Sequence, residues 1–253
     1  MPFEYISTQN AIEANGLRMV VVSNVPSPWG EAAKGILHMK SIPWKAVQLV
    51  YDSDTFDRWA KEQTAPIVFY ENEEQRSGWR EILDLAERLA PQPTLIAKDA
   101  DAMFALCHDL FGENGLAWAR RLQLIEAGLN GEGGFLESVS NYLGAKYGYT
   151  PALGAAASTR VHALLGELAE QLKAQNALGS PYYFGDRASA ADINSAAVMA
   201  MFGPLPEPEC VMKPATRAAF ETLDGETNAA LDPILLAHRD HMYAAHLELP
   251  LSL

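Results

Sequence analysis

The sequence predicts an α/β unit followed by an all-helical unit. Three observations carry this reading: strand-like apolar runs are confined to the residues before 90, Pro91-Gln92-Pro93 cannot continue a helix, and from Asp99 onward helical periodicity appears without strand alternation. The expected layout is an N-terminal extension over residues 1–16, an α/β domain over 17–90, a linker over 91–98 and a helical domain over 99–253.

Taken in order, residues 1–16 carry little pattern and read as an extended lead-in that Asn15-Gly16 closes as a turn. Leu17 to Val22 is a largely apolar, β-branched run and reads as a buried strand. Glu31 to Lys40 places Ala32, Ala33, Ile36, Leu37 and Met39 at helical spacing, and Ile42 to Val50 alternates in part, so the three segments form a β-α-β unit. Thr55 to Lys61 reads as a short helix with Phe56 and Trp59 on one side. Ala65 to Tyr70 reads as a third strand, entered through a proline that a strand tolerates at its start. Glu71 to Glu74 is a polar turn, a weak strand signal surrounds Gln75, and Ser77 to Leu89 has a helical apolar period.

Beyond the prolines, Asp99 to Phe111, Leu116 to Ala127, Ser158 to Ala174 and Ser189 to Phe202 read as helices, with Gly112 and Gly115 dividing the first two. The four glycines between Gly128 and Gly134 mark a turn, and six prolines beyond residue 203 leave room only for short helices.

The chain of 253 residues carries a net charge of −13, which argues against nucleic acid or an anionic membrane as its main partner. No apolar run approaches the roughly 20 residues that cross a bilayer. Cys107 and Cys210 lack metal-ligand spacing, and the N-terminus has no basic and apolar leader, so a reducing, cytoplasmic setting is expected. His238, His241 and His246 have no acidic partner that completes a ligand set, and no metal is assigned.

The chemistry-bearing stretch is Ser27-Pro28-Trp29-Gly30, between the first strand and the first long helix. Proline is suited to a helix start, and a hydroxyl just before that start faces unpaired amides and the positive end of the helix dipole. Such a place favours a bound anion, a thiolate among them. The bland reading is that Ser27 only caps the helix. Gly185-Asp186-Arg187-Ala188-Ser189-Ala190-Ala191-Asp192-Ile193 has a separate physical account. Ser189 and Asp192 form a capping box and Ala188 with Ile193 a hydrophobic staple, which is a folding device.

These features together resemble the cytosolic glutathione transferases. Ser27-Pro28-Trp29-Gly30 resembles the family's active-site turn, Ala65-Pro66 stands where the family has a cis-proline, and the Gly185 to Ile193 segment resembles its Gly-Asp…Ser-x-x-Asp stretch. Lys34 also falls where the family often has a basic residue. The resemblance implies a thioredoxin-like N-terminal domain with an all-α C-terminal domain, glutathione as cosubstrate, and a homodimer. It implies that Ser27, with Ser23 as the runner-up, donates a hydrogen bond to the glutathione sulfur and stabilises its thiolate. The thiolate would then attack a small, hydrophobic electrophile by conjugation, ether cleavage or isomerisation. Trp29, Ala65, Pro66, Arg76 and Ser77 are the implied glutathione-binding residues.

Arg76 departs from the family's acidic residue. It would repel the α-ammonium of glutathione, pair with a carboxylate through its planar fork, or simply solvate a helix start. Met103, Phe104, Cys107 and His108 are candidates for the wall of the electrophile site, with ordinary core packing as the competing reading. Trp118, Arg120 and Arg121 follow on the next helix, where paired arginines are expected to face solvent or a subunit contact. The alternative function is a transferase-like module that binds ligands or proteins without catalysis, and Arg76 motivates it.

Overall fold

The computed structural model describes residues 4–253. A short helix α1 (Thr8–Glu13) leads into strand β1 (Leu17–Val21), and then come α2 (Pro28–Met39), β2 (Trp44–Gln48), α3 (Asp54–Ala60), β3 (Ile67–Tyr70) and α4 (Trp79–Leu89). From there every element is helical: α5 (Ala100–Phe111), α6 (Leu116–Asn130), α7 (Glu137–Tyr147), α8 (Pro151–Ala177), α9 (Ala190–Val198) with a 3-10 turn (Met199–Met201), α10 (Pro214–Glu221), α11 (Gly225–Ala230) and α12 (Pro233–Ala245). Among the described residues no helix is long and apolar enough to cross a membrane.

The sheet has the order β2-β1-β3, with β2 parallel and β3 antiparallel to β1. All five residues of β1 are buried, as a central strand covered on both faces requires. Its side chains alternate between two cores. Val20 joins Val47, Ile67 and Phe69 under α1 and α3, where Ala11, Phe56 and Ala60 close one face. Leu17, Met19 and Val21 join Val68 on the other face, under α2 and α4, and that core runs without a break into the helical part. Arg18 interrupts the apolar run, yet it is buried because its guanidinium donates to the carbonyls of Ala11, Gly16 and Glu71.

Helix α9 joins the two parts and packs against α2, α5 and α12. Gly35 permits that approach, since a Cβ there would stand 2.8 Å from Ile193 Cγ2. The linker is held by Lys40, whose ammonium pairs with Glu87 at 2.8 Å and donates to the carbonyls of Ala90 and Pro93.

Three expectations change. The lead-in is not wholly extended: Ser7 caps α1 by accepting from the Asn10 N–H, a helix too short and too little buried to leave a period. The strand near Gln75 shrinks to a single bridge in which Val68 and Arg76 exchange both backbone bonds. Helix α7 carries no apolar core stripe and α8 begins earlier than Ser158, at Pro151, through a run of small residues that periodicity does not register.

Candidate functional site

Strand β1 ends in a loop in which Asn24 takes a left-handed conformation (φ 60°), and the loop delivers Ser27 to the N-cap of α2 with Pro28 as the first helical residue. The Ser27 carbonyl accepts the Glu31 N–H at 2.8 Å, as an N-cap carbonyl should. Its hydroxyl makes no capping bond. That half-buried hydroxyl instead lines a cleft of about 430 Å³ between the strand-containing part and the helices. Ser23 is already engaged, accepting from Gln48 Nε2 at 3.0 Å.

On the near side of the cleft stand Val25, Ser27, Leu49, Tyr51 and Ala65, and on the far side Arg121, Leu136, Val139, Lys146, Tyr147 and Phe220. The Ala65–Pro66 bond is cis, as the resemblance implies, and leads directly into β3. A second hollow of about 390 Å³ adjoins the first and shares Thr64, Ala65, Arg121 and Tyr147 with it; Trp29, Pro66 and Trp118 also line it. Trp29 stacks on Phe111 with ring centroids 5.6 Å apart, and its indole N–H donates to the Phe111 carbonyl. A larger hollow of about 770 Å³ lies between the linker and residues 178–189, remote from Ser27, and none of the predicted site residues lines it.

Ser27, Trp29, Ala65 and Pro66 are thus gathered around two joined cavities, whereas Arg76 and Ser77 line neither. Arg76 binds Glu73 at 2.6 Å and the Glu74 carbonyl at 3.0 Å, and Arg88 and Arg76 together hold the Glu73 carboxyl below its ordinary pKa through hydrogen bonds. Ser77 sits one residue before the Gly78 N-cap of α4, whose N–H is taken by Glu81 at 3.2 Å. Lys34 is turned away, paired with Glu31 and donating to the Ser252 carbonyl.

The four candidates for the electrophile wall lie elsewhere. Met103 and Cys107, one helical turn apart, point into the core, and burial pushes the Cys107 thiol up to about 12. Phe104 lies under the Arg80 guanidinium at 3.6 Å, and His108 is exposed. Helix α5 turns its apolar face to α9, and the far side of the cleft is lined from α6, α7 and residues 201–220.

The paired arginines also depart from expectation. Arg120 is buried, donating to the Met201 and Thr222 carbonyls and to Gln123. Arg121 lies over Trp29 at 4.2 Å, Tyr147 at 4.5 Å and Trp118 at 5.8 Å, and faces both cavities. Sequence reasoning missed Tyr51, Arg121, Lys146, Tyr147, Lys213 and Phe220, all of which line the cleft. For two of them the sequence holds a signal, Trp118 three residues before Arg121 and Tyr147 directly after Lys146.

The segment before α9 folds as a capping device. Asp192 is fully buried and accepts from the Ser189 N–H and hydroxyl, the Tyr183 N–H and His238 Nε2, all within 3.0 Å. The other two histidines of the C-terminal trio stand beside Tyr182, whose hydroxyl bonds to His246 at 2.8 Å.

The sequence matches no protein-family model and no curated protein. The fold does match solved structures. A glutathione S-transferase from Methylobacterium radiotolerans, in complex with glutathione sulfonate, superposes with a TM-score of 0.61 at 19% identity, covering 91% of this chain and 92% of that one. A glutathione S-transferase from Methylobacillus flagellatus with glutathione bound gives 0.61 at 14% identity, over 91% and 96%. A β-etherase from a Sphingobium species gives 0.56 at 14% identity, over 89% and 99%. The chain has the fold of the glutathione transferases, a small thioredoxin-like sheet domain joined to a helical one.

Proposed function

We propose that this protein is a glutathione transferase in which Ser27 stabilises the glutathione thiolate for attack on an electrophile held in the cleft. The observation that carries the reading is the Ser27 hydroxyl. It occupies the N-cap of a twelve-residue helix yet makes no capping bond, and it lines a cavity large enough for a small molecule. A sulfur placed there would receive the O–H bond and lie near the positive end of α2, and both effects favour thiolate over thiol. The thiolate would form a bond to the electrophilic carbon as the leaving group departs, with the thiol proton passing to solvent. Conjugation and ether cleavage both fit this step, and the β-etherase among the fold neighbours supports keeping the second.

In this reading Trp29, Ala65 and Pro66 hold the peptide, which their position around the two joined cavities supports, with Ala65 lining the same cleft as Ser27. Arg76 and Ser77 are assigned to the γ-glutamyl end, which requires Arg76 to exchange Glu73 for the ligand's carboxylate. That same Glu73 pairing favours the second reading, a binding module without turnover. Thermal unfolding with glutathione tests the choice. A specific ligand at about 100 times its dissociation constant adds roughly 2.7 kcal/mol of stability. A saturable rise in Tm for wild type, with turnover lost in Ser27→Ala, supports the enzyme; no rise at millimolar glutathione contradicts glutathione use.

A further inference from the structure

The strand-containing part and the helices meet in two ways. Where α2 packs on α9 they share one unbroken core. Along the cleft they meet through side chains that stay exposed. Tyr51, in the loop after β2, stands edge-on to Tyr142 of α7, with ring centroids 6.3 Å apart and planes at 84°. Beyond the other end of α3, the Gln63 carbonyl accepts from the Lys146 ammonium of that same helix at 2.8 Å. Lys146 also lies 5.9 Å from the Tyr51 ring, so the two contacts form one row running from Tyr142 through Tyr51 and Lys146 to Gln63. Residues 142 and 146 are one turn apart on α7, while 51 and 63 flank α3, so a single helix face reaches both loops around α3.

Tyr51 and Lys146 line the cleft that holds Ser27, whereas Tyr142 and Gln63 do not. Each contact therefore joins a cleft-lining group to one outside it, which places the row at the rim. Tyr51 is 45% and Tyr142 50% exposed, and Lys146 and Gln63 are exposed as well. Contacts of this kind are weak, because water competes for their polar groups and little apolar surface is covered. None of the four residues belongs to either core cluster, so the row can part while both cores stay packed.

We propose that this row is a clasp across the rim of the cleft, which must part to admit a bulky molecule to Ser27 but lets a small one pass, so that Tyr51 and Tyr142 set the size of the second ligand. The proposal rests on the transferase reading only in calling that ligand a substrate; the control of access stands on the rim alone.

A reporter thiol tests it without glutathione. Ser27→Cys is modified with N-methylmaleimide and with N-(1-pyrenyl)maleimide, which share a reactive group and differ in bulk, and the ratio of the two rates is compared after adding Tyr51→Ala, Tyr142→Ala or Lys146→Ala. Cys107 and Cys210 are buried, and burial pushes their thiols up to about 12 and about 11, so both react slowly; wild type treated in parallel gives their contribution. With the clasp intact the bulky-to-small ratio is expected to fall below that of free cysteine. Removing either ring should raise the bulky reagent's rate about three- to tenfold, the population equivalent of one aromatic pair, and leave the small reagent's rate within about twofold. Tyr51→Phe and Tyr142→Phe, which keep the rings, retain most of the restriction. Circular dichroism checks folding, and Lys146→Ala cuts the row at its other end should a tyrosine variant not fold. Glutathione titrated into the same clasp variants with Ser27 restored separates the two claims: absent glutathione binding with an intact size dependence defeats only the transferase reading. A ratio that none of the alanine substitutions changes, or a reporter thiol that neither reagent reaches once the row is cut, overturns the clasp.

Discussion

Ser27 and Ser189 hold the same position in different surroundings. Each is the N-cap residue of a helix, with an extended backbone (φ −66°, ψ 122° and φ −124°, ψ 177°). Ser189 is buried, and its N–H and hydroxyl both bond to Asp192. Ser27 is half buried, has no carboxylate three residues on, and turns its hydroxyl to a cavity. Residue type and helix position are therefore not what separates a folding device from a reactive group. The separation lies in whether the local sequence supplies the partner: Asp192 does so for Ser189, while Gly30 in the equivalent place leaves Ser27 open and keeps any side chain off its hydroxyl.

Breaking the Ser189 side of this comparison should cost the most. Asp192→Ala strands the Ser189 and Tyr183 N–H groups and His238 Nε2 in the core, and the expected loss is about 3–5 kcal/mol, read from the urea midpoint. Ser189→Ala keeps the carboxylate's other partners and should lose about 1 kcal/mol. Ser27→Ala, by contrast, removes no capping bond and should change stability by less than about 0.5 kcal/mol. A loss for Ser27→Ala equal to that for Ser189→Ala would erase the distinction.

A smaller, pH-dependent effect comes from the same helix. Burial raises the Glu31 carboxyl above its ordinary 4.5 despite the Lys34 ion pair. Between the unfolded and folded pKa values the folded state binds more protons, so this group lowers stability as pH rises from about 4.5 through the folded value. Glu31→Gln should flatten that part of a stability–pH profile; a slope unchanged by the substitution would assign it to other carboxylates.

What was legible in the sequence follows the same division. The central strand announced itself because both its faces are buried, and the Ser189 box because its partner lies three residues away. The cleft was only half visible, since its walls join residues as far apart as Val22 and Phe220. Successive helical positions rotate by about 100°, so two arginines that read alike in sequence diverge, Arg120 into carbonyls and Arg121 onto aromatic rings. Met103 and Cys107 lie in the core and not on the cleft for a related reason, because apolar helical spacing reports a buried face without saying which neighbour buries it.

The measurement that tests the role of Ser27 most directly is the pKa of glutathione's thiol when bound, followed by ultraviolet thiolate absorbance in wild type and Ser27→Ala. Each unit of difference corresponds to about 1.4 kcal/mol of preferential interaction with the thiolate. A bound thiol titrating well below free glutathione in wild type, and returning by about one unit or more in Ser27→Ala, is the expected result. Identical titrations in the two proteins, with glutathione bound in both, would contradict it.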